Sequence, residues 1–199
     1  MPGATRPGGR TARNTAAVFA ATFAELTARP YDEISIETIA ARAGVHKTTV
    51  YRRWHTKAEL VSHALATAAQ SMIEVPDTGS AEADVRLLCR AVQATLASPS
   101  GPAVTRAVLA GAAASAEIRD VMAEFWAARL SAIAVIVDRA VARGELPAGT
   151  EPGLMMNAVA APLYYRLLVL AQTPTAADAD RAADAALVAG RAGVFVAAG

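Results

Sequence analysis

The sequence predicts an all-α fold: a short three-helix segment of helix-turn-helix type, then a larger helical body, about nine helices in total. Three observations predict it. Apolar residues make up 54% of the 199-residue chain but aromatics only 5%, so alanine, the best intrinsic helix former, carries much of the apolar content. Apolar positions recur every three or four residues, and no segment alternates with the period of two of a strand. Short separators such as "SPSG", "GELPAGTEPG" and "TPT" divide these periodic segments.

The first helix runs from about Thr11 to Ala28, with Val18, Phe19, Phe23 and Leu26 on one face, and stops before Pro30. Ser35 caps a short second helix holding Ile36, Ile39 and Ala40, and Gly44 ends it. A third short helix covers about His46 to Arg53. Thr56 and Glu59 form a capping-box pattern that opens the fourth, which runs to about Ile73. Pro76, Asp77 and Gly79 then break the chain. Further helices are expected at about 81–97, 102–114, 116–143, 152–172 and 176–197. The resulting divisions are a flexible basic arm at 1–13, a helix-turn-helix domain at 14–62 and a body at 63–199.

Charge is divided unevenly. Residues 1–60 carry nine Lys or Arg against five Asp or Glu, whereas 61–199 carry ten against thirteen. A basic head on an acidic body points to a polyanion partner for the head alone. Several classes are excluded. The most apolar stretch, 154–171, is interrupted by Asn157, Pro162 and Arg166, too short and too polar to span a bilayer, so no membrane partner is expected. The single Cys89 forms no intramolecular disulfide, which fits a reducing, cytoplasmic setting. His46, His55 and His63 lack ligand spacing for a metal, no nucleophile-elbow, P-loop or zinc-protease motif is present, and no cofactor is expected. A helical enzyme with an incidental basic end is the weakest reading.

The stretch "AARAGVHKTTVYRRWHTKAEL", residues 40–60, concentrates the chemistry. Ala40 and Ala43 let two short helices approach, Gly44 permits the reversal, and Val50 and Trp54, four apart, face inward together. Lys47, Thr48, Thr49, Tyr51 and Arg52 are left on the outer arc, where cations neutralise phosphates, hydroxyls bond phosphate oxygens, and Arg or Lys reads guanine. A solvated basic surface would explain the charges but not the upstream helix, the glycine turn and the inward aromatic. The segment "ISIETIAARAGVHKTTVYRRWHTKAELV" resembles the DNA-binding segment of TetR-family transcriptional regulators. Thr38, Ile39-Ala40, Ala43-Gly44-Val45, Tyr51, Trp54 and Lys57 match its pattern in order. The resemblance implies a DNA site: Thr38 and Lys57 at helix starts facing phosphates, Lys47, Thr48 and Thr49 in the major groove, Tyr51 and Arg52 on the backbone, and Arg53 near a phosphate. His46 stands where serine is common, so the hydroxyl cap is missing; it is placed to meet DNA. Thr48 stands where glycine is common.

The body resembles the regulatory half of the same family. That implies a homodimer on double-stranded, palindromic operator DNA, with the last two helices forming the interface. Ala161, Tyr165, Ala183, Ala186, Gly190 and Gly193 are its candidates, the last four on a small-residue ridge; intramolecular core packing of the same surfaces is the alternative, and the dimer is favoured because a helix-turn-helix reader usually needs two half-sites. The resemblance also implies a repressor released by a small apolar or amphipathic effector. Leu88, Cys89, Val92, Gln93, Leu109, Met122, Phe125, Trp126 and Arg129 are the pocket candidates, each also readable as plain core. A regulator with a closed pocket and no ligand is the alternative. The arm, with Arg6, Arg10 and Arg13, either enters a minor groove or is an idle tail.

Overall fold

The computed structural model describes residues 8–72, 75–114 and 116–197. Among them are nine α-helices: α1 (Gly8–Ala28), α2 (Ile36–Ala43), α3 (Lys47–Tyr51), α4 (Lys57–Met72), α5 (Ala81–Ala97), α6 (Gly101–Ala114), α7 (Ala116–Ala142), α8 (Pro152–Leu168) and α9 (Ala176–Arg191), with a 3-10 turn at Tyr31–Glu33. No described residue lies in a strand; one isolated bridge pairs Thr150 with Val196. The chain is all-α, as its composition and periodicity predict.

Boundaries differ where local chemistry overrides periodicity. α1 begins at Gly8, so Arg10 and Arg13 belong to a helix and not to an arm. Residues 1–7, including Arg6, lie outside the described residues. α9 stops at Arg191 and not near 197, because Gly193 takes a left-handed φ of 79° and the following chain turns back. There the Glu151 N–H donates to Phe195 O (2.8 Å).

The chain divides into two compact units, one of residues up to 68 with 103–122, the other of 69–102 with 123–199. The expected boundary at 62/63 falls inside the continuous helix α4, and α6 joins the first unit. Gly111 is one reason: it lacks a side chain where a Cβ would stand 3.0 Å from Tyr31 Cγ, so the Tyr31 ring lies directly on the α6 backbone.

In the first unit α1 packs on α2, and Ile39, Val50, Trp54 and Leu60 are buried. Glu25 of α1 is buried and accepts from Arg42 of α2 (2.5 Å) and pairs with Arg29 (3.0 Å), which fixes the angle of α2. In the second unit Leu88, Cys89, Leu96, Ile136, Met155, Met156, Leu163, Ala179, Ala183 and Leu187 form one core from α5, α7, α8 and α9. The ridge of Ala183, Ala186 and Gly190 is buried within it, and a Cβ on Gly190 would meet Leu146 at 3.1 Å and Met155 at 3.4 Å. That corrects the assignment of these three residues to a subunit interface: their smallness serves close packing of α9 inside its own chain.

Candidate nucleic-acid interface

The turn between α2 and α3 is built as its residues require. The Ser35 hydroxyl accepts from the Thr38 N–H (3.1 Å) and Thr38 Oγ1 accepts from the Ser35 N–H (3.1 Å), so two orphan donors of α2 are satisfied. Gly44 adopts φ 66°, the left-handed region that favours glycine, and the Val45 N–H returns to Ala40 O (3.1 Å). α3 follows at once. Val50 and Trp54 are buried as their spacing predicts. The Trp54 indole N–H donates to His63 Nδ1 (2.7 Å), and its ring meets Phe19 at 5.4 Å.

This packing turns His46, Lys47, Thr48, Tyr51, Arg52 and Arg53 outward, with Thr49 half-buried. His46 supplies no side-chain cap to α3; its Nδ1 instead pairs with the Thr48 hydroxyl at 2.9 Å. Lys47 stands exposed on the first turn of α3, a cation suited to phosphate or an acceptor on a base edge.

Thr38, Arg53 and Lys57, also assigned to DNA by pattern, have partners elsewhere in the protein. The Thr38 hydroxyl donates to Ser35 O (2.8 Å) and serves the cap. Arg53 donates to the Thr15 hydroxyl of α1 and lies 5.0 Å over the Trp54 ring. Lys57 Nζ donates to Tyr31 O (2.7 Å) and sits 3.9 Å from the Tyr31 ring centroid. Half-buried Lys57 and exposed Arg53 therefore brace the domain through contacts within the chain.

One residue escaped the motif. Glu37, exposed on the first turn of α2, accepts from the Tyr51 hydroxyl at 3.0 Å. Its carboxyl is held below the usual carboxylate range by its own backbone N–H, then by Tyr51, with Lys47 and Ser35 adding. The same bond raises the Tyr51 phenol. The available signal was compositional: Glu37 is the only acid between residues 34 and 58.

The nine pocket candidates are divided between the two compact units. Leu109 and Met122 fall in the first compact unit and the other seven in the second. Leu88 and Cys89 are core, and burial first, then Asp180, pushes the Cys89 thiol up to about 12, which leaves it inert at neutral pH. Gln93 donates to Pro174 O (2.8 Å). Phe125, Trp126 and Arg129 do form a cluster: Trp126 meets Phe125 at 5.2 Å and Tyr164 at 5.9 Å, both edge-on. Burial lowers the Arg129 guanidinium, Tyr164 opposing, and burial pushes the Tyr164 phenol up to about 12. No group of His, Cys, Asp and Glu among the described residues is arranged to hold a metal, and no described helix is long and apolar enough to cross a membrane.

Comparison with known proteins places both halves. Residues 18–64 match the model of bacterial regulatory proteins of the tetR family, and residues 75–186 match the tetracyclin repressor-like C-terminal domain. The chain is 33% identical over 147 residues to the HTH-type transcriptional regulator AqdR of Rhodococcus erythropolis, covering 74% of this chain and 70% of that one. It is 35% identical over 158 residues to the DNA-binding transcriptional repressor TetR of Mycobacteroides abscessus, covering 77% and 81%. The crystal structure of the TetR family transcription regulator SCO0332 superposes with a TM-score of 0.74 at 22% identity, over 89% of this chain and 96% of the other.

Proposed function

The chain belongs to the TetR family of DNA-binding transcriptional regulators, and from that premise we propose that it is a ligand-responsive repressor that grips a palindromic operator as a dimer. The observation that carries this reading is the outward face of α3, where Lys47, Thr48 and Arg52 stand exposed on a helix locked from behind by Val50 and Trp54. Lys47 and Thr48 enter the major groove, and Arg52 takes a phosphate. A five-residue recognition helix reads only a few base pairs, so two copies are needed for a selective site. Two-fold symmetry then sets half-sites about 34 Å apart, one turn of duplex.

The second copy docks on the outer faces of α8 and α9. Leu154, Ala161 and Tyr165 recur on one side of α8 with Val169 just past its end, and Ala185 and Val188 on one side of α9 with Ala192 just past its end, all exposed and opposite the core face. Such contiguous apolar stripes mark association surfaces. The repressor reading follows the printed function of the relative from Mycobacteroides abscessus. The effector is amphipathic: the Phe125–Trp126–Tyr164 aromatic walls take its apolar body, and the half-buried Arg129 its polar end.

The test is selection of fragments of its own genome by the purified protein, followed by challenge with a metabolite library. An inverted repeat is expected, with at least one small molecule both raising the melting temperature and releasing the DNA. A single unpaired half-site overturns the dimeric operator, and DNA binding untouched by every compound that raises the melting temperature overturns effector release.

A further inference from the structure

Glu37 is out of place on a surface built to meet a polyanion. It stands exposed on the first turn of α2, close enough to Lys47 and Tyr51 to feel both. Beside phosphates a carboxylate repels what its neighbours attract. Its arrangement is nonetheless ordered, since the Tyr51 hydroxyl, fourteen residues away on α3, donates to Oε1 at 3.0 Å. That bond takes one acceptor site of a carboxylate that also receives its own backbone N–H and Ser35; a carboxylate has about four such sites, so it keeps capacity to accept from outside.

An ionised carboxylate only accepts hydrogen bonds. Duplex DNA offers donors in the major groove from two groups, the N4 amino of cytosine and the N6 amino of adenine. Adenine carries its N7 acceptor beside N6, which faces a carboxylate with a second negative edge; cytosine does not. We infer that Glu37 is a base-reading residue, its carboxylate accepting from a cytosine amino group in the major groove while the Tyr51 hydroxyl holds it in position. Tyr51 is then a positioning residue and not a phosphate grip. This rests on the reading of α2 and α3 as the DNA interface.

The test uses the full-length protein and its E37A, E37Q and Y51F variants, each selected against a duplex library with a fully randomised core and sequenced. The wild-type motif is expected to hold one cytosine per half-site whose preference over other bases falls about ten-fold or more in E37A. In E37Q, whose amide both donates and accepts, that position shifts toward adenine. In Y51F the cytosine preference weakens while the rest of the motif stays. An unchanged motif in E37A, bound more tightly whatever the sequence, overturns the inference and leaves Glu37 as a mere repulsive charge. A wild-type protein that enriches no motif overturns the DNA reading itself, and this inference with it. Far-UV circular dichroism melts confirm that each variant is folded, as an exposed position allows.

Discussion

Lys47 and Lys57 are chemically alike, ten residues apart, and opposite in their surroundings. Lys47 is exposed on α3, whereas Lys57 donates to Tyr31 O and lies against the Tyr31 ring. Replacing Lys47 with Ala should reduce the dependence of log K on log salt by about 2 for a dimer, one phosphate contact per subunit. Replacing Lys57 with Ala should leave that slope nearly intact and lower stability by about 1–2 kcal/mol, for a lost cation–π contact and a charge-assisted hydrogen bond. Anisotropy titrations over a salt series, with thermal melts, separate the two; a flattened slope for Lys57→Ala would show that it reaches a phosphate after all. The sequence made the identity of these side chains and their helix plain. It did not show their partners, because Tyr31, Thr15 and Glu37 are fourteen or more residues distant from Lys57, Arg53 and Tyr51, and only the folded backbone brings such pairs together.

At the scale of the element, caps and turns were the most legible features, since each is a local contract between residue type and backbone. Gly44 was placed from sequence at the end of the second helix and adopts φ 66° there, with open space around a Cβ. Gly44→Ala should therefore cost about 1 kcal/mol through backbone strain alone, read as a drop in the urea midpoint without a change in its slope. The early stop of α9 was less legible although its cause is local, since a glycine inside an alanine-rich run signals a turn only through the φ of 79° it adopts at Gly193. The corner between α8 and α9 is another case. Asp178 completes a capping box with Thr175 and also pairs with Arg166 of α8 (3.1 Å) and Arg181 (2.5 Å). The Thr175 hydroxyl and N–H, ahead of Arg181 and Arg166, hold the Asp178 carboxyl down at about 2. A depressed carboxyl contributes stability that is complete above its unfolded value near 4 and lost as pH falls toward 2. The wild-type melting temperature should thus fall between pH 4 and pH 2 more steeply than that of Asp178→Asn, which starts lower at pH 7. Parallel curves for the two proteins would place the acid sensitivity elsewhere.

For the whole molecule, the small-residue ridge on the last helix misled because smallness tells that something packs closely, not which chain supplies it. Ala183, Ala186 and Gly190 face inward, and Gly190 lies against Leu146 and Met155. The opposite sides of α8 and α9 carry the large exposed groups, Leu154 at 46%, Tyr165 at 55%, Val169 at 64% and Val188 at 68%. Apolar side chains that open to water on adjacent helices of one compact unit lose little by being covered and gain roughly 25 cal/mol for each Å² removed. Two substitutions separate core from interface. Gly190→Leu should overpack the core by about 1–3 kcal/mol and lower the melting temperature, whatever the protein concentration. Tyr165→Asp should leave the isolated chain folded, because a half-exposed ring gives up little internal packing, yet it places a charge at the centre of the proposed contact. Sedimentation velocity at micromolar concentration should find the wild type dimeric and Tyr165→Asp monomeric, and the monomer should lose tight operator binding while keeping its helical circular dichroism. A wild-type monomer under those conditions would remove the α8–α9 face as the subunit contact. A Tyr165→Asp dimer as tight as the wild type would move that contact to another surface.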